Sequence, residues 1–134
     1  MDTPVSGMPR VLLRAEGTVV LLASLLAYHA LGASWSRFAL LLLVPDAGLL
    51  GYLAGPRVGA RTYNVLHTYL APGLLAALAY LQVLDDAWPY CLIWTAHIGL
   101  DRALALGLKF PSAFRDTHLG FVGRNSAPQP TGSW

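Results

Sequence analysis

Four long apolar runs, separated by short polar breaks, set the pattern of the chain. They cover about 11–32, 37–54, 62–84 and 88–109. Each is close to the ~20 residues that a helix needs to cross the apolar core of a bilayer. The expected fold is therefore all-α: a four-helix transmembrane bundle forming a single integral membrane domain over 1–134. No repeat, heptad pattern or nucleotide-binding loop interrupts this reading.

Local signals refine each run. The first has Arg10 and Arg14 at its head and Gly32-Ala33 at its end, as a cleaved signal peptide would. Glu16 and the three further apolar runs favour an uncleaved helix instead. In the second run Pro45 removes a backbone donor, and Asp46 follows at once. Gly48, Gly51 and Gly55 recur at three and four residues, a seam on which another helix can pack closely, within the chain or in a homo-oligomer. The loop 55–61 leads to the third run. There Asn64, His67, Thr68 and Ala71 share a face, and Pro72 predicts a kink. Asp85 and Asp86 form the next loop, and Pro111 is expected to end the fourth helix. Beyond it, 112–124 reads as an amphipathic surface segment and 125–134 as a disordered tail.

Composition agrees with the membrane reading. Of 134 residues, 55% are hydrophobic and only 12% charged, against about 25% charged in ordinary soluble domains. The lone Cys91 excludes an intrachain disulfide. A net charge of +2 with no basic patch gives no sign of a nucleic-acid partner. The positive residues follow topology. Arg10, Arg14, Arg57, Arg61, Arg102, Lys109, Arg115 and Arg124 fall toward the side holding the N-terminus, while Arg37, Asp85 and Asp86 fall toward the other. The positive-inside rule makes the first side cytoplasmic, with both termini inside (N-in/C-in) and lipids as the surrounding partner.

Ionisable residues inside such helices are costly and usually functional. Glu16, Asp46, His67, His97 and Asp101 all fall in the cytoplasmic half, and His118 follows on the same side. His97 and Asp101 are four apart, so one helix offers an imidazole and a carboxylate to one point. His67, Asp46 and His118 are candidates to complete a nitrogen and oxygen shell suited to zinc, iron or manganese. Glu16 is a candidate general base, and Arg102 and Lys109 are candidates to meet a substrate phosphate. Asn64 and Thr117 are polar supports. Three functions fit: a metal-binding protein acting as a hydrolase on a lipid or lipid-linked substrate at the cytoplasmic leaflet, a proton-linked transporter or carrier, or a structural or haem-binding bundle. Helix-end counting sets His67 and His97 one to two turns apart in depth, which disfavours haem.

Pro45-Asp46, Tyr63-Asn64-x-x-His67-x-Tyr69-x-x-Pro72, Trp94-x-x-His97-Ile98-Gly99-x-Asp101-Arg102, Gly107-Leu108-Lys109 and Asp116-Thr117-His118-Leu119-Gly120 together resemble the small bacterial membrane proteins of domain of unknown function 4260. The family pattern has Gly-Tyr where this chain carries Ala105 and Leu106. The resemblance implies a four-helix protein of the bacterial inner membrane and carries no known activity. The Asp101-Arg102 and Thr117-His118 steps also resemble those of membrane-bound metal-dependent hydrolases, an analogy of pattern only.

Overall fold

The computed structural model describes residues 4–111 and 114–121. The chain is predominantly helical, in the order α1 (Gly7–Ala30), α2 (Trp35–Leu41), a 3-10 helix (Val44–Ala54), α3 (Pro56–Leu66), α4 (Leu70–Tyr80), a 3-10 turn (Asp85–Ala87) and α5 (Trp88–Ala103). Two two-residue strands follow, β1 (Asp116–Thr117) and β2 (Gly120–Phe121), paired antiparallel. Gly7–Ala30 and Trp35–Ala54, with mean hydropathies of 1.6 and 1.5, are long and apolar enough to cross a membrane.

Burial is inverted relative to a water-soluble fold. Leu26, Leu40, Leu53, Leu70 and Tyr80 are exposed, Leu53 by 89%, while His67, His97, Asp101, Lys109 and Thr117 are buried. The apolar core proper is small. Tyr28, Phe38, Ile93 and Ala96 pack together near the α1–α2 turn, and the Tyr28 hydroxyl donates to the Ser34 carbonyl at 2.7 Å.

Two close crossings bring the helices together. α1 meets α5 at Gly17 and Gly99, where a Cβ on Gly99 would stand 2.9 Å from the Gly17 carbonyl oxygen. The second crossing joins the 3-10 helix to α3. Three residues per turn put Pro45, Gly48 and Gly51 on one ridge. A Cβ on Gly48 would stand 3.1 Å from the Thr62 carbonyl oxygen, and the Thr62 hydroxyl donates to the Gly48 carbonyl at 2.7 Å. The glycine seam thus packs against α3 of the same chain. Gly55 is not part of it: at φ +111 it forms the turn into α3.

Besides the second run, which divides into α2 and a 3-10 helix ahead of Pro45, three further boundaries differ from the sequence pattern, each for a local reason. α3 begins at Pro56, where proline fits the first helical turn, so most of the expected 55–61 loop is helix. The third run is not one kinked helix but two. Pro72 cannot donate to the Thr68 carbonyl and its ring crowds that oxygen. The chain opens at His67–Tyr69, and α5 satisfies two of the freed carbonyls: Trp94 Nε1 donates to Leu66 at 2.7 Å and Arg102 donates to His67 at 3.0 Å. Finally, α5 ends at Ala103 rather than near Lys109. The Leu106 amide donates to the Asp101 carbonyl at 2.7 Å and the Ala105 amide to the Arg102 carbonyl at 3.0 Å. This is a Schellman stop, and it sets Ala105 at φ +61.

The chain then folds back over this end of the bundle. The Asn64 side chain both accepts from the Lys109 amide (2.7 Å) and donates to its carbonyl (2.9 Å), as a strand neighbour would. The Val5 amide donates to the His118 carbonyl, tying in the N-terminus. The described part of the expected amphipathic segment is therefore the small hairpin with Thr117 and Leu119 buried. The expected tail at 125–134 lies outside the described residues.

Candidate metal centre

Asp46, His67, His97 and Asp101 converge from the 3-10 helix, the α3–α4 break and α5. Each arrives for a local reason. Winding at three residues per turn turns Asp46 about 120° from the glycine ridge, rather than opposite it as α-helical winding would. His67 sits where Pro72 has opened the chain, so it is held by α5 rather than by a continuous helix. His97 and Asp101 share one face of α5, while Gly99 meets α1 on another.

The ligand atoms are closely spaced. His67 Nε2 lies 3.0 Å from His97 Nε2, 3.3 Å from Asp46 Oδ1 and 3.4 Å from Asp101 Oδ2. His97 Nε2 lies 3.5 and 3.6 Å from the same two oxygens. All four atoms fall within 4.8 Å of one another. Neighbouring donors around a tetrahedral zinc at about 2.0–2.1 Å stand about 3.3 Å apart, and those around an octahedral ion of that radius about 3.0 Å. The five measured pairs span 3.0–3.6 Å, from that range to about 0.3 Å beyond it, so the four side chains would close slightly on an ion.

Hydrogen bonding around the cluster fits a cation as well. His67 Nδ1 lies 2.9 Å from the Tyr63 carbonyl, which can only accept. The proton therefore sits on Nδ1, and Nε2 presents a lone pair to the cluster. Tyr63 also stacks on the His67 ring, with centroids 3.6 Å apart, and its hydroxyl donates to Asp101 Oδ2 at 3.2 Å. His97 Nδ1 is buried without a partner. Among the described residues no Lys or Arg pairs with either carboxylate. Two acids and a fixed imidazole lone pair thus face one another with only the Tyr63 hydroxyl and a single His97 N–H available to bridge them. The Lys109 ammonium in the adjoining cavity is a fixed positive charge close by but pairs with neither acid, and a divalent ion would supply positive charge at the cluster itself.

The other predicted site residues are not among the four, although Lys109 and Thr117 line the adjoining cavity. Glu16 is exposed on α1 and is not one of the four, which removes the reason to make it the base. His118 is not a ligand: its Nδ1 accepts from the Leu108 amide at 2.8 Å, so the lone pair needed for a metal is engaged in holding the hairpin. Burial, then the charge of Arg102, holds the His118 imidazole below its ordinary value. Arg102 holds the His67 carbonyl. Lys109 is buried beside the cluster, with Nζ donating to the Phe114 carbonyl at 2.8 Å. Thr117 donates to the Gly120 carbonyl and, with Lys109, lines a cavity of about 200 Å³ that reaches Asp46 and Asp101. Asp46 is the ligand open to this side, with 38% of its side chain exposed.

The depth separation of His67 and His97 does not hold. The two rings meet edge to face, with centroids 5.0 Å apart. A haem held between the two histidines is disfavoured for a different reason: nitrogens on opposite sides of a metal at about 2.0 Å stand roughly 4 Å apart, and 3.0 Å leaves no room for a porphyrin between them. Tyr63 was missed as a site residue. Its spacing of four from His67 was the available signal.

A helical protein with membrane-length helices and a buried His/Asp cluster able to hold a metal ion is the class that fold and site define. The chain belongs to the family described as domain of unknown function 4260, which matches residues 10–122. No curated protein and no solved structure matches it.

Proposed function

We propose that the protein is an integral membrane metalloprotein of the bacterial inner membrane. Its four spans are α1, α2 with the 3-10 helix, α3 with α4, and α5, and both termini are cytoplasmic. Exposed leucines around a polar interior support the placement in lipid. Asp46, His67, His97 and Asp101 hold one divalent ion, of zinc, iron or manganese type, near the cytoplasmic leaflet. The reaction class is hydrolysis of a lipid or lipid-linked substrate. A bound ion there would act as a Lewis acid and lower the pKa of a water. Tyr63 holds Asp101 in place, Arg102 holds the backbone of His67, and Asp46 faces the cavity from which substrate and water enter.

The observation that carries this reading is the convergence of two imidazole nitrogens and two carboxylate oxygens, with the His67 tautomer set by Tyr63. Metal analysis of protein purified in detergent and reloaded with zinc, iron or manganese tests it. One ion per chain is expected, lost in the His97→Ala, Asp101→Ala double variant and kept in His118→Ala. Protein that stays free of metal under all three loadings, yet folded, overturns the centre. Proton-coupled flux in liposomes would then favour the carrier.

A further inference from the structure

Two cavities adjoin the cluster, one almost wholly apolar in its lining residues and one that carries charged and polar groups. The first is an apolar groove of about 390 Å³, lined by Leu41, Val44, Pro45, Leu66, Ile93 and Trp94, among others. Its walls run directly into the ligands: Pro45 precedes Asp46, Leu66 precedes His67, and Ile93 and Trp94 lie one turn before His97. The second is the 200 Å³ cavity shared by Asp46, Tyr63, Asp101, Lys109, Phe114 and Thr117. There the Lys109 ammonium is buried, 4.1 Å from the Phe114 ring centroid and 4.8 Å from that of Tyr63. Its three donors meet one described acceptor, the Phe114 carbonyl, and no carboxylate pairs with it among the described residues. Asp46 and Asp101 line the same cavity, but with an ion engaging them the buried ammonium has donors to spare and calls for a further anion.

From this juxtaposition we propose the substrate class of the site: a single-chain amphiphile with an anionic oxygen headgroup. Its chain lies in the groove along Pro45, Leu66 and Trp94, its headgroup lies against Lys109, and its reactive bond is set at the Asp46/His67/His97/Asp101 cluster between them. The proposal rests on the metal reading, because an ion on Asp46 and Asp101 frees the Lys109 charge for a headgroup, and its test reads binding and metal content separately. The chain gains little on leaving the bilayer, which is as apolar as the groove. Discrimination therefore comes from the headgroup, through charge-assisted hydrogen bonds to Lys109.

The test uses the full chain in phosphatidylcholine nanodiscs with Trp35, Trp88 and Trp134 replaced by Phe, so that Trp94 alone reports. A dodecyl phosphate brominated at its chain end is expected to quench Trp94 at a mole fraction about tenfold lower than the matching brominated dodecanol. Lys109→Met removes that difference. Ala47→Phe, which fills the groove, removes quenching by both probes while the metal content stays unchanged, so the result does not hang on how one variant folds. Equal quenching by phosphate and alcohol, or none by either, overturns the proposal. So does inorganic phosphate binding as tightly as dodecyl phosphate in a calorimetric titration, which assigns the cavity to a free anion. Metal content measured on the same samples keeps the two readings apart. Headgroup discrimination without metal refutes the centre and keeps the amphiphile; metal without discrimination does the reverse.

Discussion

Tyr63 joins the two halves of the centre. Its carbonyl fixes the His67 tautomer and its hydroxyl holds Asp101, so one residue on α3 orients a ligand at the chain break and another on α5. Supporting contacts of this kind typically carry ten- to a hundredfold in metal affinity. Tyr63→Phe keeps the carbonyl and the ring stack and deletes only the bond to Asp101. It should weaken binding by about tenfold in competition with a chelator; unchanged affinity would make that hydroxyl incidental. His118 acts at the same scale but on stability. Its folded value lies below the ordinary 6.5, because burial and then Arg102 disfavour the charged ring. The sign follows: near pH 7 the ring is neutral in both states, and as pH falls below 6.5 the unfolded chain takes up the proton first. The stability present above that value is lost as pH drops through the folded one. His118→Asn keeps an acceptor for the Leu108 amide without a titrating ring, so its unfolding temperature should fall less between pH 7.5 and 5.5. An identical fall in both proteins would show that His118 adds nothing to it.

The elements carry the strain and the breaks that shape the site. Ala105 holds φ +61 in the turn that stops α5 and starts the return over the cluster. A left-handed residue with a Cβ costs about 1–2 kcal/mol, while glycine loses about 0.5–1 kcal/mol more entropy on folding. Ala105→Gly should therefore stabilise the protein by up to about 1 kcal/mol, seen as a higher unfolding temperature in detergent; a lower one would mean that the Ala105 methyl packs usefully. The same turn explains what was legible in the amino-acid pattern. His97 and Asp101 were readable as a pair, because i,i+4 spacing on an uninterrupted helix needs no tertiary information. Asp46 and His67 were readable as candidates but not as placed, since their positions depend on a 3-10 winding and a chain break that α-helical counting cannot anticipate. His118 went astray because a histidine's type says nothing of which lone pair is already engaged. Ala105, at φ +61, is a position at which backbone geometry rather than chemistry favours a particular residue.

Across the whole molecule, the two ends differ in charge and in the groups they carry. Arg14 donates to the Ala103 carbonyl, and the N-terminal strand of chain meets the hairpin, so the basic α1 start, the α5 end and the cluster's cavity share one end. At the other end Arg37 lies over the Tyr90 ring and lines a cavity with Asp85 and Asp86. In the proposed lipid-embedded chain, the positive-inside rule would put this basic end in the cytoplasm. That orientation matters for the chemistry, because it decides which leaflet and which aqueous phase supply the cavity beside Asp46. Single cysteines in a Cys91→Ala background test it in intact cells. Asp86→Cys should react with a membrane-impermeant maleimide from outside, and Arg57→Cys should react only after the membrane is opened. The reverse pattern would invert the protein and put the site at the outer leaflet. Reaction of both from outside would remove the chain from the bilayer altogether, leaving the exposed leucines of α2 and α4 to be covered by something other than lipid.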